Sequence, residues 1–209
     1  MKLDPKEKIL QDAEELFLRY GVRSVTMDDV ARESSMSKKT LYQYFDNKDK
    51  LVSEVALQHL KKERKEFEEI ERTAKDAIHE IFLVTLCLRK HIYKANPTLL
   101  HDMQKYHAEA WGYYLDFKNT YVRGYIERNI KKGMEEGFFR SNIDAAVLSI
   151  LRVEEVQLIF NTKIFPPSQF DFAEVQEQVL NHFIYGLLTK EGLVKYEEHL
   201  KSETLNHAL

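Results

Sequence analysis

The stretch SMSKKTLYQYFDNKDKL, residues 35–51, carries two kinds of side chain at helical spacing. Leu41 and Phe45 are four residues apart, so they share one helix face and belong to a core. Ser37, Lys38, Lys39, Thr40, Tyr42, Gln43 and Lys48 are left pointing elsewhere. Ser37 precedes KKTLYQYF and can accept a hydrogen bond from the amide of Lys39 or Thr40, which starts a helix there. Upstream, Thr26 precedes MDDVARES with Asp29 three residues on, a variant of the capping box that starts another short helix. A turn over residues 34–36 joins the two. Short helix, tight turn and short helix make a helix-turn-helix.

Working outward, PKEKILQDAEELFLRY (5–20) reads as an amphipathic helix, with Asp4 to cap it, Pro5 in its first position and Gly21 to close it. Asn47 caps a long polar helix over 47–71. An apolar helix follows over 74–94, and Asn96-Pro97 starts another that runs to about Tyr106. The aromatic-rich segment 108–136 reads as one helix ending near Gly137. Asn142 is placed to cap IDAAVLSILRVEEVQLIF, a loop carries Pro166 and Pro167, and a helix over 171–188 stops near Gly192. The tail from Leu193 keeps an apolar trace (Leu193, Tyr196, Leu200) and a polar end expected to fray. With 7 Gly and 4 Pro in 209 residues, punctuation is sparse and long helices are favoured over many short strands. The expected fold is all-α, with about nine or ten helices: a three-helix N-terminal domain holding the helix-turn-helix over 1–47 and a larger helical bundle over 48–209. A core of about 45 residues is marginal alone, so the small unit should lean on the long helix.

The net charge of −3 argues against a protein that coats nucleic acid broadly. Residues 1–50 hold ten Lys/Arg against ten Asp/Glu, yet 37–50 hold Lys38, Lys39, Lys48 and Lys50 against Asp46 and Asp49. Any basic patch is therefore small and must come from folding or from pairing two copies. The lone Cys87 lies in an apolar helical run and is expected to be buried and inert. No signal peptide opens the chain, and no apolar run is long enough to span a bilayer, which fits a cytoplasmic setting. Catalytic signatures are weak. HExxH, a Gly-rich phosphate loop and a nucleophile elbow are all missing from the sequence. Asp76 and His79 form one isolated Asp-x-x-His, and His101 and His107 are poorly spaced for one helix face. The reading is of a non-enzyme that needs no cofactor or metal.

The second helix of a helix-turn-helix enters the DNA major groove by its N-terminal end. Here that end is Ser37-Lys38-Lys39-Thr40. Lys38 and Lys39 can reach base edges or phosphates, Gln43 can pair with adenine, and Lys48 can grip a flanking phosphate. Tyr42 is exposed if Leu41 and Phe45 are buried. A helical adaptor that binds only protein is the alternative, and it leaves these exposed groups unexplained.

The run GVRSVTMDDVARESSMSKKTLYQYFDNKDKL resembles the DNA-binding signature of TetR-type bacterial transcriptional regulators. Gly21, Thr26, Val30, Ala31, Ser37, Thr40, Leu41, Tyr42, Phe45, Lys48 and Leu51 carry the resemblance, which covers roughly residues 8–55. It implies that Thr26, Thr40, Tyr44 and Lys48 touch phosphates and that Lys38, Lys39, Tyr42 and Gln43 face bases. Two departures stand out. Ser35 replaces the usual turn glycine, at a cost of about 1 kcal/mol for a left-handed serine, and Lys39 replaces a glycine early in the reading helix. The resemblance also implies a homodimer on double-stranded operator DNA, commonly a repressor, released by a small-molecule effector of unknown identity. Leu148, Leu151, Val156 and Phe160 on one helix, with Val175, Val179, Phe183 and Leu187 on another, are the interface candidates. Phe82, His107, Trp111, Tyr114 and Glu155 are the candidates for the effector pocket, although Glu155 can instead pair with Arg152.

Overall fold

The computed structural model describes residues 4–92 and 96–206, with side chains at 4–89 and 96–202. Among them the chain forms ten helices and no strand. The first four are α1 (Pro5–Tyr20), α2 (Met27–Glu33), α3 (Lys38–Tyr44) and α4 (Lys48–Thr73). Then come α5 (Ala77–Ile92), α6 (Leu99–Tyr106) and α7 (108–135), whose middle section Phe117–Val122 is wound as a π-helix. α8 (Ala145–Ile159), α9 (Phe172–Leu187) and α10 (Lys190–Asn206) complete the fold. The expected end of the fifth helix at residue 94 and the frayed end at 207–209 lie outside the described residues.

Local chemistry sets most boundaries. Thr26 and Asp29 form a reciprocal capping box at the start of α2. Asn47 caps α4 by accepting from the Lys50 amide at 2.9 Å. Gly21 closes α1 at φ 80°, a conformation that suits glycine. Asp4 stands at the N-cap of α1 without a side-chain cap bond, so Pro5 marks that start alone.

Two boundaries differ from the sequence reading. Asp144, not Asn142, caps α8, its carboxylate accepting from the amides of Ala146 and Val147 at 2.9 and 3.0 Å. Gly192 stops nothing: α9 ends at Leu187, and Thr189 restarts the chain by accepting from the Gly192 amide at 3.1 Å. Gly192 lies in the first turn of α10 because a Cβ there would overlap the Phe138 carbonyl oxygen. That contact belongs to a short antiparallel bridge, Phe139 with Leu188, which clips the α7–α8 loop onto the α9–α10 junction. The supposed tail is thus a core helix with Tyr196 fully buried.

Most of the buried apolar residues fall into two cores. The first joins α1–α3 to the start of α4 through Ile9, Phe17, Val30, Leu41, Phe45 and Leu51, and takes in Met103 and Ala110 from α6 and α7. The head therefore does lean on the body. The second core holds Ile78, Phe82, Ile130, Phe139, Ile184 and Tyr196. Cys87 is half-buried rather than buried, because its thiol faces α4 and donates to Glu66 at 3.3 Å. Among the described residues no helix is long and apolar enough to cross a membrane.

Candidate nucleic-acid interface and effector cavity

α3 is short and held by local bonds. Ser37 Oγ accepts from the Thr40 amide at 3.0 Å, and the Ser37 and Thr40 hydroxyls share a second bond at 2.8 Å. Ser35 takes the left-handed conformation at φ 55°, which lets the Met36 amide reach back to Ala31 and turns α3 away from α2. Leu41 and Phe45 are buried, while Lys38, Lys39, Tyr42, Gln43 and Tyr44 are exposed, Tyr42 by 41%. Tyr44 is 38% exposed.

Several candidates are already engaged. Lys38 Nζ pairs with Asp28 at 2.7 Å, which raises the lysine's pKa. Both partners are exposed, so the pair contributes little and a phosphate can replace it. The Thr26 hydroxyl donates to Asp29 at 2.6 Å within its capping box. Lys48 is half-buried with Nζ 3.4 Å from the Arg23 carbonyl oxygen. Burial pulls its pKa down, while Asp102, Asp49 and Asp29 pull it up. Thr26, Ser37 and Lys48 stand at the starts of α2, α3 and α4 respectively.

The head is tied to the body by polar contacts around α6 and the start of α7. The Arg23 amide donates to Asp102 at 3.1 Å, His107 Nδ1 lies 2.7 Å from Asp49, and Lys50 pairs with Glu109 at 3.1 Å. Farther along α4, the Tyr121 hydroxyl donates to the Arg64 carbonyl at 3.2 Å and Arg128 pairs with Glu71 at 2.9 Å.

Inside the body lies a cavity of about 140 Å³, walled by α4, α5, α7, α8 and α9. Its lining is apolar apart from a few groups, among them Lys118 and Arg152. The π-helical section of α7 supplies Phe117, Lys118 and Val122 to the wall. Such segments recur at functional sites. Of the five expected pocket residues only Tyr114 lines this cavity. Trp111 and Glu155 line an outer groove of about 490 Å³ along α6, α7 and α8. Phe82 stacks on His199 between α5 and α10, and His107 is buried where α6 meets α7. Glu155 pairs with Arg152 at 3.3 Å. Asp76 caps the start of α5 through the His79 amide and pairs with Lys195 at 2.7 Å.

The interface candidates also divide. Val175, Phe183 and Leu187 are buried in the protomer's own body, and Val156 and Phe183 line the cavity. A partner cannot use those surfaces, because the fold has already covered them. Leu148 and Val179 are half-buried, Phe160 packs edge-on against Phe172, and Leu151 is 48% exposed. The apolar surface left open on α8 is Val147, Ile150, Leu151 and Leu158, with Tyr185 on α9. Of the candidates on α8, Leu151 belongs to this open surface. Lys118 and Arg152 were not among the expected pocket residues, Arg152 entering the sequence reading only as a partner for Glu155.

Residues 9–55 match the family model of bacterial regulatory proteins, tetR family. Over those residues the chain carries the sequence of a tetR-type DNA-binding segment. The uncharacterized HTH-type transcriptional regulator YvaF of Bacillus subtilis (strain 168) is 32% identical over 107 residues, which is 50% of this chain and 55% of that relative. The match thus spans about half of YvaF's length. The HTH-type transcriptional repressor KstR2 of Mycobacterium tuberculosis (strain H37Rv) is 20% identical over 189 residues, 89% of this chain and 94% of KstR2. The crystal structure of FadR from Bacillus subtilis in complex with stearoyl-CoA shares the fold with a TM-score of 0.60 at 14% identity, over 86% of this chain and 98% of that one. The family match falls on the head and the first turns of α4, the segment that holds α3.

Proposed function

We propose that this chain is a sequence-specific DNA-binding transcriptional regulator, a homodimeric repressor that leaves its operator when a small molecule fills the body cavity. The observation that carries this reading is α3 itself, which buries Leu41 and Phe45 and presents Lys39, Tyr42 and Gln43 to solvent on a rigid, capped helix. A protein-only adaptor has no use for that set. Residues 1–47 form the reading head and 48–209 the body. The exposed apolar stripe of α8 and Tyr185 on α9 form the interface with a second copy, which brings two α3 helices to one duplex. The repressor sense follows KstR2, and a small-molecule ligand fits both the cavity and the ligand-bound FadR.

The release mechanism is a population shift. An effector in the cavity pushes on α7, which is bonded to α4 through Tyr121 and Arg128. α4 carries Asp49 and Lys50 against His107 and Glu109, so its motion changes the separation of the two heads. A coupling of about 1–3 kcal/mol is enough to change operator occupancy usefully.

Tyr42→Ala tests the reading. DNA affinity is expected to fall by more than about tenfold, while the dimer mass and helical circular dichroism stay unchanged. Equal binding of the same DNA by wild type and variant would sink the assignment of α3.

A further inference from the structure

We propose that the body cavity is built for a small apolar monocarboxylate whose carboxylate is received by Arg152. The inference rests on the effector reading above and names the chemical class of the ligand.

Arg152 is 4% exposed and lines the cavity, with its guanidinium carbon 5.6 Å from the centre of the Phe183 ring on the same wall. Glu155 reaches Nη1 at 3.3 Å, longer than the roughly 2.7–2.9 Å of a good charge-assisted bond. Nη2 has no hydrogen-bond partner among the described residues. An unmet donor on a buried cation is costly, and a planar carboxylate is the group that matches a guanidinium edge. Burial lowers the Arg152 pKa, with Glu155 opposing, as expected of a charge held in apolar surroundings.

Lys118 does not compete for the ligand. Its Nζ is held by Glu154 and Gln157, each at 2.8 Å, and those two residues also line the outer groove. The Lys118 cluster is thus the partition between cavity and groove, and Arg152 is the group with capacity to spare. Tyr114 Oη is a second buried polar atom on the wall without a partner among the described residues.

Size and charge narrow the class. A cavity of about 140 Å³ is comparable to those that take up benzene, so the apolar body is one aromatic ring or a short branched chain. Glu63 on the α4 side and Glu155 beside Arg152 oppose a dianion. A phosphate ester or dicarboxylate is therefore disfavoured, and a neutral hydrocarbon leaves Nη2 unmet.

The experiment is calorimetric titration of the full-length protein with benzoate, phenylacetate and 3-methylbutanoate, each paired with its primary amide. DNA release is measured on the same samples. Wild type should bind at least one carboxylate roughly tenfold or more tightly than its amide. Arg152→Met should erase that preference while the amide's affinity changes little. Amides that bind as tightly as the acids, carboxylates that all fail to bind, or a preference that survives in Arg152→Met would each overturn the proposal. The acid–amide comparison on wild type decides the matter even if the variant does not fold. Carboxylates that bind through Arg152 without releasing DNA would contradict the effector reading and leave this inference standing. Release by the amides alone would do the reverse.

Discussion

The head and the body solve the same packing problem in opposite ways. In the head every short helix begins on its own side-chain cap or proline, and the polar groups that matter lie outside. In the body the consequential polar groups, Arg152 and Lys118, are inside, and they are held by residues from other turns and other helices. A surface that meets DNA needs rigid presentation of exposed donors. A site that takes a small molecule needs enclosed volume and a few buried charges. The head's core also takes in Met103 and Ala110 from the body's helices, while the second core lies wholly in the body.

If the cores are as separate as this, damage should stay local. Phe45→Ala removes the largest fully buried side chain of the head and should cost about 3–5 kcal/mol there. Hydrogen exchange should rise across α1–α3 while α8–α10 stay protected. Protection lost uniformly would show one cooperative unit instead. Gly192→Ala is the mirror experiment. Its new Cβ meets the Phe138 carbonyl, and overpacking should cost about 1–3 kcal/mol. The lost protection should centre on α9, α10 and the Phe139–Leu188 bridge, with the head spared.

A smaller change sharpens the contrast in capping. Thr26→Ala removes the capping box of α2 and should lower stability by about 1 kcal/mol, read as a lower denaturation midpoint at unchanged slope. DNA affinity should drop further than that stability loss explains if Thr26 also touches phosphate.

The smallest effect concerns His59 and Glu14, 2.6 Å apart, which bind α4 to α1. Burial opposes the charge on His59, but the Glu14 hydrogen bond and the Glu63 charge outweigh it and raise the histidine's pKa above 6.5. Burial likewise opposes the charge on Glu14, and its bonds to His59 and Lys62 outweigh that and lower its pKa below 4.5. A histidine with a raised pKa stabilises fully below about 6.5, and that contribution is lost as pH climbs through the raised value. The carboxylate's contribution is present above 4.5 and is lost as pH falls through its lowered value. The melting temperature should therefore decline slightly from pH 6 to 8, and His59→Gln should flatten that decline. An identical slope in both proteins would remove the pair from the account.

The same contrast explains what the sequence disclosed. α1–α4 and the capping box at Thr26 were legible because caps, turns and four-residue spacing are local, and the left-handed Ser35 followed from the resemblance, which puts a glycine at that turn position. In the body, periodicity found the helices and misjudged their facing. It offered Val175, Phe183 and Leu187 as interface candidates, and the fold buries all three within the protomer, Phe183 and Leu187 in the second core. Phe82, His107 and Trp111 are aromatic, as pocket residues tend to be, but whether a ring faces a void is decided by helices far away in sequence. The restart at Thr189 escaped notice because Gly192 resembles a stop signal unless the approach of Phe138 is known.

The most direct test of the central claim, that α3 is a reading helix presented in pairs, is selection of bound duplexes from a random pool by the full-length protein. The account predicts an inverted repeat with half-site centres one or more helical turns apart, and loss of enrichment in Tyr42→Ala. No enriched sequence with wild type, or the same enriched sequence with the variant, would contradict it.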